Sequence, residues 1–232
     1  MRKIIKRFTI LTVIIFVLAI SVIIYGKNKI RHIDYQDYIE KSIYATINYG
    51  ESLYRNYPEL KNSIMQDRDI STIDNLVNFS EDVLVIEAVE NPTIYGSAIV
   101  NTCVIKEIIK GKNLKLNDQI QIYDLMLNTQ ISATIYLNGA TPLKKGGQYL
   151  VFLNRAPHPS ISGSYLFSNA KFGHIRLDKE SSYLKDYENY SMSLNDAVQY
   201  DYIFLEEDSR DESIKKYEKI VREALDLLEK YN

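Results

Sequence analysis

The sequence predicts a mainly β protein with flanking helices, organised as a five-stranded Greek-key barrel, and three observations predict it. Between Asp82 and Leu177, short runs rich in β-branched and aromatic residues alternate with Gly, Pro and Asn turn signals. No helix-period crossover separates these runs, which argues against a parallel α/β sheet. An apolar segment precedes this middle part and 3.6-periodic stretches flank it. The expected divisions are therefore 1–27, a cytoplasmic stub and transmembrane anchor; 28–80, a helical lead-in; 81–178, the barrel; and 179–232, a helical tail.

The anchor comes first. Phe8 to Tyr25 is almost wholly apolar, and about 18 helical residues at 1.5 Å each reach roughly 27 Å, close to a hydrocarbon core of about 30 Å. Arg2, Lys3, Lys6 and Arg7 precede it, and Lys27, Lys29 and Arg31 follow. The positive-inside bias places the N-terminus in the cytoplasm, making a single-pass cell-membrane protein with its bulk extracellular. A cleaved signal peptide is the competing reading, with Ala19-Ile20-Ser21 as the cut site, although the apolar run continues through Val22-Ile23-Ile24-Tyr25.

In the lead-in, Tyr35, Ile39, Ile43, Ile47, Gly50 and Tyr54 recur at three- and four-residue intervals and predict an amphipathic helix from Asp34, ended before Pro58. Ser71-Thr72-Ile73-Asp74 resembles a capping box ahead of Leu76 and Val77, predicting a short helix that delivers the chain to the first strand.

The barrel strands come next. Val83 to Val89 is β-branched and ends at Asn91-Pro92. Ile99 to Ile109 is apolar on parts of both parities, as expected of a long strand coiling round a barrel, with Cys103 as a small buried hydrophobe. Lys110-Gly111-Lys112 turns the chain, and Gln119 to Tyr123 alternates strictly, marking one wet face. Leu125 to Asn138 reads as a hairpin or a loop across the barrel mouth. Thr141 to Gly147 is a reversal whose glycines supply positive φ. Gln148 to Leu153 is a fully buried strand, Asn154 to Ser164 an exposed loop, and Tyr165 to Ser168 with Phe172 to Leu177 a last pair of strands. Five or six short strands without crossovers fit a barrel of the oligonucleotide/oligosaccharide-binding (OB) type.

The order Asp82-Val83-Leu84-Val85, then Cys103 to Gly111, then Pro142-Leu143, Gly146 and Gln148 to Leu153 resembles the bacterial relatives of the tissue-inhibitor-of-metalloproteinases-like (TIMP-like, NTR-like) barrel. The resemblance covers roughly 80–178, under half the chain, and rests on core and turn residues. It implies the fold, and a cell-surface protein of undefined role. Animal members of the family use an N-terminal cysteine to reach a protease zinc. Here the one cysteine lies within a strand, so that mode of inhibition does not carry over.

In the tail, Ser193 and Asn195-Asp196 open one predicted helix through Tyr202 and Leu205, and Asp211 opens a second. In the second, Ile214, Tyr217, Val221, Ala224, Leu228 and Tyr231 form an apolar seam. It is too short for a stable coiled coil, so docking on the barrel or on the lead-in helix is expected over self-association.

The chain's 232 residues hold one ordinary domain with appendages, and its net charge of -2 offers no basic stripe for nucleic acid. A single cysteine excludes an intramolecular disulfide, and His32, His158 and His174 have no second ligand at metal spacing, so no metal or cofactor is expected. His174 reads as a surface or half-buried strand residue. Lys144-Lys145-Gly146-Gly147 lacks the pattern of a phosphate loop, and Glu206-Glu207-Asp208 reads as a solvated face. With no catalytic set to name, the expectation is a non-catalytic, membrane-anchored extracytoplasmic binding module. Its partner would be a protein or glycan at the cell surface, met through Tyr95, Tyr123, Tyr136 and His158. The alternative is an envelope protease inhibitor, or a hydrolase with an unrecognised site.

Overall fold

The computed structural model describes residues 70–95, 98–125, 127–129, 134–136, 141–155, 164–169, 172–184, 191–193, 199–203 and 210–231, together with 33–34, 46–48, Phe16 and Ser21. The chain divides into two compact units, Met1–His32 and Ile33–Asn232. Of the first, only Phe16 and Ser21 are described, both with helical backbone. The rest of the expected anchor, and its flanks, lie outside the described residues. Among the described residues, no helix is long and apolar enough to cross a membrane.

The second unit carries, in chain order, β1 (Ile33–Asp34), β2 (Thr46–Asn48), α1 (Ile73–Phe79), β3 (Asp82–Ala88), β4 (Thr93–Tyr95), β5 (Ala98–Lys110) and β6 (Gln119–Leu125). Beyond these lie β7 (Leu127–Thr129), β8 (Thr134–Tyr136), β9 (Gln148–Arg155), β10 (Ser164–Phe167), β11 (His174–Arg176), β12 (Tyr183–Leu184), β13 (Ser191–Ser193), β14 (Tyr202–Ile203) and α2 (Arg210–Tyr231).

Five of these strands close into a barrel. β3 pairs with β5, β5 with β6, β9 with β10 and β9 with β3, all antiparallel, while β6 and β10 close the ring in parallel. β4 lies along the start of β5 and carries β1 on its outer edge, and β11 pairs with the first half of β9. Opposite β3, the register of β5 skips Ile109 and Lys106, two irregularities of the bulge kind that bend a long strand round a small barrel. The stretch Leu125 to Asn138 resolves in favour of a hairpin: β7 and β8 are antiparallel, in a separate sheet ordered β13-β2-β8-β7.

Burial explains the sequence patterns. Leu84, Ile86, Tyr149, Val151 and Leu153 fill the barrel with Cys103, Ile105, Ile120, Ile122, Tyr165 and Phe167. The opposite parity of β3 and β9, namely Val83, Val85, Leu150 and Phe152, packs outside the ring against Ile73, Leu76, Ile214, Tyr217, Ile220 and Ala224 of the two helices. β3 and β9 are therefore dry on both faces and read as unbroken apolar runs, whereas β6 alternates because Gln119 and Gln121 face water. Each such apolar side chain contributes roughly 1.5–3 kcal/mol on burial.

Turns and caps obey the expected chemistry. Thr72 caps α1, its Oγ1 accepting from the Asn75 amide at 3.3 Å, one residue later than the Ser71 to Asp74 spacing implies. The far end of α1 is held by Lys110, whose Nζ donates to the Val77 and Ser80 carbonyls at 2.7 and 2.6 Å. Gly146 has φ +78°, and the reversal it makes bonds back to Ala88 at the end of β3.

Four expectations need correction. Ile33–Asp34 and Thr46–Asn48 are strands, so at these described positions the lead-in is not the amphipathic helix expected from Asp34 to Tyr54. The β-branched pair Thr46-Ile47 suits a ladder, and the two flanking strands β8 and β13 supply it. Similarly, at the described ends of the expected first tail helix, Ser193 belongs to a strand and Tyr202–Ile203 form another, tertiary burial of Tyr202 overriding the helical pattern there; 194–198 and 204–209 lie outside the described residues. Asn154 and Arg155 extend β9 and Ser164 opens β10, which shortens the expected loop; 156–163 lie outside the described residues. Finally, α2 docks through the expected Ile214, Tyr217 and Ala224, with Val221 and Leu228 partly buried against the same cluster, but the seam also takes in Ile220 and leaves Tyr231 58% exposed.

Candidate functional site

The helices cover the β3 and β9 side of the barrel, and the wall made by β5 and β6 carries the wet face. Here Thr102 and Val104 of β5 are half-buried, Gln119 and Gln121 of β6 are exposed, and Tyr123 is half-buried. Tyr123 stands opposite Val100 of β5 and Leu166 of β10, so it sits in a cross-strand row of apolar neighbours. The charged pair bordering this wall, Lys106 and Glu87, meets at 2.7 Å with side chains 39% and 32% exposed. Solvent-screened pairs of this kind contribute about 0–1 kcal/mol. The wall thus offers amide and hydroxyl hydrogen bonding and one aromatic ring, with its charge neutralised at the margin.

Of the residues expected to make contacts, Tyr95 lies in β4 with its backbone opposite Ala98, on the other side of β5 from Tyr123 and at a position of like parity. Tyr136 lies in β8, in the separate sheet, opposite Leu127. His158 lies outside the described residues. The fold therefore places Tyr95 and Tyr123 on the two strands that flank β5 and leaves Tyr136 on another sheet.

The densest polar cluster is one that sequence reasoning missed. Asp201, almost fully buried, accepts at Oδ1 from Lys144 Nζ (2.9 Å) and Arg176 Nη1 (3.0 Å), and at Oδ2 from the Ser182 amide (2.9 Å) and hydroxyl (2.8 Å). Arg176 also grips Asp178 through Nε and Nη2 at 2.9 and 3.1 Å, and Asp178 accepts from the Gln148 amide at 3.0 Å. Burial alone would raise Asp201, but the Ser182 amide, Lys144 and the Ser182 hydroxyl outweigh it and hold the carboxyl well below the usual carboxylate range. Every strong acceptor direction of this carboxylate is occupied by the protein itself. It acts as a clasp joining the reversal at Lys144, strand β11 and the Ser182 segment.

Beside the clasp stands an aromatic stack. Tyr202 lies between His174 (ring centroids 5.7 Å) and Tyr217 of α2 (4.2 Å), and its hydroxyl donates to the His174 carbonyl. Tyr149 and Phe167 close on His174 from the barrel side at 5.5 and 5.2 Å. His174 is only 2% exposed, not the surface or half-buried residue expected, because Tyr202 comes from a distant segment to cover it. Burial lowers its imidazole to about 4, with Asp201 pulling up and Lys144 pushing down, so the ring is neutral near pH 7. Cys103 is fully buried in the barrel, as expected, and burial pushes its thiol far above the usual range. A neutral inaccessible imidazole, a protonated inaccessible thiol and a saturated carboxylate have structural roles. Among the described residues, no group of three or more His, Cys, Asp or Glu side chains could hold a metal ion.

Lys144, Arg176, Ser182 and Asp201 come from four separate segments, so no local spacing announces the clasp. No known family model matches the chain, and no curated protein matches it either.

Proposed function

We propose that the chain is a membrane-anchored, extracytoplasmic, non-catalytic binding module on an OB-type barrel. Taking the five barrel strands in chain order as first to fifth, they neighbour one another as 1-2-3-5-4-1, with third and fifth parallel. This order supports the OB-type reading, whose second and third strands and adjoining loops commonly carry ligands. The resemblance to tissue-inhibitor-like barrels is extended to the fold alone. The apolar stretch Phe8 to Tyr25 supports the anchor and the extracellular placement of the residues C-terminal to it.

The observation that carries the reading is the asymmetry of the barrel surface. The helices close over β3 and β9, while the β5 and β6 wall keeps Gln119 and Gln121 in solvent beside Tyr123. The occupied state of Asp201 and the burial of His174 and Cys103 support a binding role over a catalytic one. The test is a photoreactive side chain at Tyr123 or Gln121 of the full chain, irradiated on intact cells. Capture of a surface protein or glycan from these positions, and not from Glu218 on the charged outer face of α2, is expected. Equal capture from both, or none from either, overturns the reading.

A further inference from the structure

We draw no further inference here: the strongest candidate, the uncharged outer wall of β5 and β6 around Thr102, Gln121 and Tyr123, belongs to the contact surface already described, and nothing in the structure shows what covers it.

Discussion

Arg176 and Asp201 form an ion pair, Nη1 to Oδ1 at 3.0 Å, with only 9% and 3% of their side chains exposed. A pair this dry is held by its other partners as much as by its own attraction, since two desolvated charges break even only when their remaining hydrogen bonds are made. Here Asp178, Lys144 and Ser182 make them.

Asp201→Ala is therefore expected to cost about 3–5 kcal/mol, because it takes from the nearly dry Arg176 one of its two carboxylate partners, removes the carboxylate that Lys144 and Ser182 share, and leaves a buried void. Urea unfolding monitored by tyrosine fluorescence measures this. A loss below about 1 kcal/mol would show that the clasp is not a principal fastening of the segment from Gln199 to Ile203.

Stability is expected to fall in mild acid. His174 in the fold sits at about 4, below its ordinary 6.5. Between those values the unfolded chain binds a proton that the folded chain lacks, so stability is complete above about 6.5 and declines as pH drops toward 4. The full effect is roughly 3 kcal/mol. Asp201, depressed in the fold, adds a loss that begins only as pH falls below the ordinary carboxylate range. His174→Phe keeps the ring stack and removes the first component. Melting temperatures from pH 7 to 4 should then fall less steeply than in the parent protein; an unchanged slope would contradict the assignment.

Cys103 is expected to resist alkylation in the native protein. Iodoacetamide treatment and intact-mass measurement should show modification only at the rate of global unfolding, and rapid modification in urea. Fast native labelling would mean that the barrel interior opens. Cys103→Ser places a hydroxyl in the apolar ring interior, with an expected cost of about 1–3 kcal/mol.

The start of α1 depends on α2. Glu223 Oε2 accepts from the Ile73 amide at 2.8 Å, satisfying a donor that the helix leaves free and placing negative charge at its positive end. Glu223→Ala should cost about 0.5–2 kcal/mol. Hydrogen exchange should speed up at Ile73 and Asn75 and stay unchanged at Leu150 in β9. Uniform acceleration at all three would show general loosening in place of a lost cap.

The barrel is legible in the sequence where burial is two-sided or strictly alternating. Leu84 and Val85 are both apolar because one faces the ring and the other the helices, and Gln119 to Tyr123 alternates because only Ile120 and Ile122 turn inward. The features that escape are set by distant partners. Nothing local marks His174 as buried, because its cover, Tyr202, is brought in by β14 pairing with β12. The same pairing turns a helical-looking stretch at Tyr202 into strand. Alternation alone places Tyr123 on a wet face, but its pairing with Val100 and Leu166 requires the closed ring.

The ring closes through Gln121 with Ser164 and through Asp82 with Leu153, contacts far apart along the chain. Such closures lose loop entropy before any inward-facing residue is sheltered, which places barrels of this kind among the millisecond-to-second folders. On the ribosome, the cylinder stays unsealed until Phe167 has emerged from the exit tunnel. Until then Leu84, Ile86 and Ile105 lack the cover that Tyr165 and Phe167 supply, and an incomplete sheet of that kind is the species a chaperone would meet.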